Sequence, residues 1–94
     1  MANDGPLAIL FIDSRDTERN YYADQLKQFS SDYVIYQTAT GKGGIAAYDA
    51  RSIDCVVLEI NLVDMSGFQV LPQFVNTAVP LCSSGTTLII KLIS

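Results

Sequence analysis

The chain has no histidine in its 94 residues, so the side chain that most often moves protons near neutral pH is missing. Two cysteines, Cys55 and Cys82, are too few for a zinc site. Cys55 lies in an apolar run and is expected to be a small buried hydrophobe rather than half of a disulfide. Basic residues are scarce as well: six Lys and Arg face ten Asp and Glu, with a net charge of −4 and no basic run. Duplex nucleic acid is held through many phosphate contacts from Lys and Arg, so direct nucleic-acid binding is not expected. No stretch approaches the ~20 apolar residues of a membrane span. The start, MANDGPLAIL, lacks the charged-then-apolar layout of a signal peptide. A cytoplasmic protein without membrane contact is the expectation.

What is present is apolar patterning. Hydrophobic residues make up 49% of the chain, enough for one small globular domain that buries roughly 60–65% of its unfolded surface. After a polar lead (1–6), LAILFID (7–13) is apolar on both strand faces and ends in Asp13, as a strand covered on both sides requires. SRDTERNYYADQLKQFS (14–30) places Tyr22, Leu26 and Phe29 at helical spacing, with Asp16 or Ser14 as cap. YVIYQTA (33–39) is a strand, and 40–52 a short helix with Thr40 as N-cap and three glycines in its first turn. CVVLE (55–59) is the third strand. GFQVLPQFV (67–75) follows as a helix capped by Ser66 and interrupted by Pro72, with 76–85 as a loop and TTLIIKLIS (86–94) as a fourth strand. Alternation of this kind implies a parallel sheet with crossover helices.

Two strands end in carboxylates, Asp13 and Glu59. Ligands of open parallel sheets sit beyond the carboxyl ends of the strands, and neighbouring strands lie about 4.7–4.9 Å apart, so both acids are expected to share one crevice. Ser14 and Asn61 lie close by in sequence, and Ser94 ends the fourth strand. The GKGG stretch (41–44) superficially resembles a phosphate-cradling loop, but it lacks the full dinucleotide spacing and is expected to be a glycine-rich helix entry.

The stretches ILFIDS and DCVVLEINLVDMSGFQVL resemble the receiver domain, the CheY-like response-regulator module of two-component signalling. The likeness runs from about Leu7 to Ser94. It implies a flavodoxin-like parallel sheet of order 2-1-3-4, truncated after the fourth strand, with 7–94 lacking the family's last helix, strand and helix. In that family the third strand ends in an aspartate that accepts a phosphoryl group, and two acids after the first strand help to bind Mg²⁺. Carried over, Glu59 takes the phosphoacceptor position, Asp13, Ser14, Glu59 and the Asn61 carbonyl form a weak or lost metal site, and Ser94 takes the switch hydroxyl's place.

The departures have physical consequences. Ser14 is neutral where a carboxylate belongs, Glu59 is one methylene longer than aspartate, and Val63 replaces a frequent proline. Phosphoryl transfer depends on positioning and on cations around the transferred group, so little or no phosphorylation is expected. Glu59 either mimics a phosphoryl charge or is a drifted, solvated carboxylate. The resemblance implies a non-enzymatic phosphorelay module with no cofactor or weak Mg²⁺. Its partner would be a histidine kinase or an output domain, and a homodimer could form through the apolar 86–94 edge. Other readings are a phosphate-independent adaptor, a non-functional remnant of a longer response regulator, and a small-molecule binder using residues 41–44.

Overall fold

An apolar residue at every position of β1 calls for cover on both faces, and the fold supplies it. The computed structural model describes residues 7–29, 32–74, 78–84 and 87–92. In it β1 (Ala8–Ile12) is followed by α1 (Asp16–Phe29), β2 (Val34–Thr38), α2 (Gly41–Ala50) and β3 (Cys55–Glu59). A one-turn α3 (Gly67–Val70) then continues into a 3₁₀ turn (Leu71–Gln73), β4 (Ala78–Ser84) and β5 (Thr87–Leu92). The strands form one open, mixed five-stranded sheet in the order β2-β1-β3-β5-β4. The class is α/β, and β3 is the central strand, as its apolar run requires.

Leu10, Ile12, Val56 and Leu58 turn to one face, where Val70, Phe74 and Leu88 complete the main core beside Ile45, Ala47 and Tyr48 of α2. Ile9 and Phe11 turn to the other face and meet Ala23 of α1, flanked by Leu26, Cys55 and Val57. Alternate residues of a strand share a face. Asp13 therefore continues the Ile9–Phe11 row, and Glu59 the Cys55–Val57 row. Both acids leave the sheet on the side covered by α1.

The first three strands pair in parallel: Ala8 is opposite Val34, and Ile9 through Ile12 are opposite Cys55 through Leu58. The last third corrects the expectation of an all-parallel sheet. β5 runs antiparallel to β3, with Glu59 opposite Thr87 and Cys55 opposite Lys91. β4 occupies part of the expected loop and pairs antiparallel with β5. The reason is chain length. Only residues 85–86 separate β4 from β5, whereas a parallel crossover needs a dozen or more, so the two strands close as a hairpin. β3 and β4 then run the same way, with β5 returning between them.

A dimer through an exposed 86–94 edge loses its premise, because β5 is paired on both sides and β4 is the edge. Pro80 lies in that edge strand, and the register shifts between Pro80 and Cys82; proline and bulges are devices that resist strand addition.

Two helices differ from expectation in detail. In α1 it is Ala23 and Leu26 that face the sheet, while Tyr22 (52% exposed) and Phe29 (82%) stand in solvent. Ala23 is the one buried residue of the helix, so the bulkier aromatics lie off the face that meets the sheet. In α3 the Ser66 hydroxyl accepts from Phe68 N at 3.1 Å and the Gln69 side chain accepts from Ser66 N at 3.0 Å, a capping box. The helix stops at Val70, and Pro72 falls early in the 3₁₀ turn, where a missing N–H costs little. Thr40 caps α2 as expected, accepting from Gly43 N. Among the described residues no helix is long and apolar enough to cross a membrane.

Gly67 and Gly44 are two of the tightly packed glycines, one against backbone and one against a side chain. A Cβ on Gly67 would lie 2.6 Å from the Glu59 carbonyl oxygen and 2.8 Å from Ile60 Cα, and one on Gly44 would lie 2.4 Å from Ile12 Cδ1. Overpacking a tight site typically costs about 1–3 kcal/mol. Urea unfolding should show Gly67→Ala at the upper end of that range or beyond, because backbone must move. Gly44→Ala should lose less, because the Ile12 side chain can shift; equal stability of all three proteins would contradict the packing described.

Candidate functional site at the strand tips

Parity delivers two carboxylates to the α1 side of the sheet, and the residue that joins them is Arg15. Its Nη2 donates to Asp13 Oδ2 at 2.9 Å and to Glu59 Oε1 at 2.7 Å. Its Nε and backbone N–H both donate to Asp13 Oδ1, at 3.1 and 2.8 Å. Asp13 thus fixes the guanidinium from two sides, in the bidentate manner that suits Arg. Hydrogen bonding to Asp13 raises the Arg15 pKa above its ordinary value, in spite of partial desolvation, and the charges of Asp13, Glu59 and Glu18 add to the effect.

Glu59 is only 2% exposed. A buried carboxylate is strongly unfavourable unless it is paired and hydrogen-bonded. Here Oε1 accepts from Arg15 and, at 3.4 Å, from the Thr87 hydroxyl, and Oε2 accepts from Asn61 N at 3.0 Å. No buried side-chain oxygen or nitrogen among the described residues lacks a partner. Glu59 is therefore buried and fully partnered rather than solvated.

Arg19 secures the start of α1. Its Nη1 donates to the Asp13 carbonyl at 2.7 Å and pairs with Asp16 at 2.7 Å, while Nε donates to Gln37 Oε1 at 3.1 Å. Ser14 is a staple between loops: its hydroxyl donates to the Ala39 carbonyl at 2.5 Å and accepts from Val63 N at 3.1 Å.

Of the residues expected at the site, Asp13, Glu59 and Asn61 come together. Ser14 lies beside them but is engaged with Ala39 and Val63. Ser94 falls outside the described residues. The hydroxyl opposite Glu59 belongs to Thr87, because β5 runs against β3. Arg15 and Thr87 escaped the sequence reading. Arg15 could have been flagged as a cation set between Asp13, Asp16 and Glu18, whereas Thr87 depends on strand direction, which no local signal supplied.

The expected Mg²⁺ set does not fit. Mg²⁺ takes oxygen ligands in near-octahedral order. Asp13 and Glu59 are bridged by one guanidinium nitrogen, and the Ser14 hydroxyl is shared between Ala39 and Val63. The 41–44 stretch is no phosphate cradle either. Asp64 accepts from Gly41 N at 2.8 Å and Lys42 N at 3.0 Å, and Thr40 Oγ1 accepts from Gly43 N at 3.0 Å. Those backbone bonds hold the Asp64 carboxyl below its ordinary value of 3.8. The glycines answer to packing, Gly41 against Met65 and Val70 and Gly44 against Ile12. Cys55 is half-buried and unpaired, and desolvation raises its thiol pKa.

No family model, curated protein or solved structure matches the chain.

A double-mutant cycle on Arg15→Met and Glu59→Gln should give a coupling of about 1–3 kcal/mol in urea unfolding, tempered by the exposure of Arg15. Additive losses would mean that the bridge carries no energy. Asp64 gives a pH signature. Its folded pKa is lowered, so its stabilisation is fully present above 3.8 and is lost as pH falls below that value through the lower folded one. The urea midpoint of Asp64→Ala should be lower than wild type at neutral pH, and the two should converge on acidification; a constant gap down to low pH would contradict the capping role.

Proposed function

We propose that the chain is a receiver-like signalling module of the two-component phosphorelay type. It does not accept a phosphoryl group, is not an enzyme, and acts in the cytoplasm through contact with a protein partner. Support for the receiver likeness comes from the parallel β2-β1-β3 half of the sheet, the convergence of acidic tips from its two inner strands, and the turn from Asn61 to Gly67. On this reading the flavodoxin-like, CheY-like arrangement persists in that half, and the β4–β5 hairpin replaces the rest. The resemblance supplies the partner classes, a histidine kinase or an output domain.

The observation that carries the absence of phosphorylation is the state of Glu59. A phosphoacceptor needs a carboxylate oxygen free to attack in line, with cations placed around the transferred oxygens. Both Glu59 oxygens are instead buried and bound, by Arg15 and Thr87 on one side and Asn61 on the other. Glu59 acts as a fixed negative charge that holds one conformation of the surrounding loops. Exposed Val63 (78%) and Phe68 (60%), on the loop after β3 and the first turn of α3, offer apolar area to a partner.

Incubation with acetyl phosphate and Mg²⁺, followed by intact-mass measurement and amide NMR, tests the proposal. The expected result is an unchanged mass and no acetyl-phosphate-dependent shifts at Asp13, Glu59 or Asn61. A phosphoryl adduct that disappears in Glu59→Gln would overturn it.

A further inference from the structure

We propose that the Arg15 guanidinium is the resident cation of the strand-tip crevice, occupying the position between Asp13 and Glu59 that a divalent metal ion would need, and keeping such ions out. This stands on the crevice geometry alone and holds whether or not the domain signals.

One nitrogen, Nη2, lies 2.9 Å from Asp13 Oδ2 and 2.7 Å from Glu59 Oε1. A hard divalent cation bridging these carboxylates would take the same oxygens, at about 2.0–2.6 Å, and could not coexist with that nitrogen. Arg15 is tethered at the start of α1, so its effective concentration at the crevice is that of an intramolecular ligand. Its charge cannot be lost by deprotonation. The backbone N–H and Nε of Arg15 on Asp13 Oδ1 set its direction, and Arg19 on the Asp13 carbonyl holds the chain that carries it. An incoming Mg²⁺ would have to shed water and expel this preset partner. The Arg15 side chain remains 43% exposed, so ions can reach the crevice, and exclusion is a matter of competition rather than of access.

Removing the guanidinium leaves two facing carboxylates, both of them buried. The crevice then becomes a divalent-cation site, with the metal ion restoring the lost charge.

The test compares the 94-residue wild type, Arg15→Met and Arg15→Met/Glu59→Gln. Thermal unfolding is followed across a Mg²⁺ titration matched with NaCl for ionic strength, and Mn²⁺ serves as a paramagnetic NMR probe. Wild type should show no Mg²⁺-specific rise in Tm and no selective Mn²⁺ broadening at Asp13 and Glu59. Arg15→Met should melt lower in chelator and gain about 5–10 °C at a Mg²⁺ concentration ten times its Kd, with Mn²⁺ broadening centred on Asp13, Glu59 and Asn61. The double variant should lose that gain. Four results would overturn the proposal: saturable Mg²⁺ stabilisation of wild type with broadening at the strand tips; a folded Arg15→Met indifferent to metal; an Arg15→Met that stays unfolded at every Mg²⁺ concentration; or a double variant that responds like the single one.

Discussion

A carboxylate buried at the tip of the central strand is the constraint to which the surrounding structure answers. Glu59 leaves β3 where apolar residues cover both faces, and water cannot solvate it. Its charge is balanced by Arg15 and its remaining lone pairs by Asn61 N–H and the Thr87 hydroxyl. Each partner comes from a different part of the chain: the start of α1, the loop after β3 and the start of β5. Three segments are therefore tied to one side chain, and Asp13 orients the cation that makes the tie stable.

The same economy runs through the neighbouring loops. Ser14 fastens the β1 tip to the loops that follow β2 and β3. Asp64 crosses from the β3–α3 loop to the open amides of α2, so a helix start that would attract an external anion is satisfied internally. Positions that would serve exchangeable ligands in a switching domain are here taken by the chain's own side chains. That is the physical sense in which the site is closed.

Much of the first two-thirds was legible in the sequence. The expected strands at 7–13, 33–39 and 55–59 became Ala8–Ile12, Val34–Thr38 and Cys55–Glu59, because apolar runs at 7–13 and 55–59 suit doubly covered strands and the aromatic and β-branched residues of 33–39 suit an edge strand. The caps Thr40 and Ser66 were readable from residue type and from the apolar stretch that follows each. The meeting of Asp13 and Glu59 was readable too, since both end parallel strands that are neighbours. The phase of α1 was not. Tyr22 and Phe29 are the larger apolar groups, yet Ala23 takes the buried position, because apolar spacing alone leaves the rotation of a helix about its axis open to adjustment by tertiary packing.

The sequence by itself determined which face the two acids share, since alternation along β1 and β3 leaves no choice once the strands form. Only the tertiary structure decided what lies between them and what stands opposite. Arg15 could have pointed to solvent, and it turns inward because a buried pair of carboxylates needs a cation. The last strand could have run either way from its composition; the short β4–β5 connection made it antiparallel and brought Thr87 to the site. Local pattern fixes the faces of strands, but strand direction and charge pairing are settled by contacts between segments far apart in the chain.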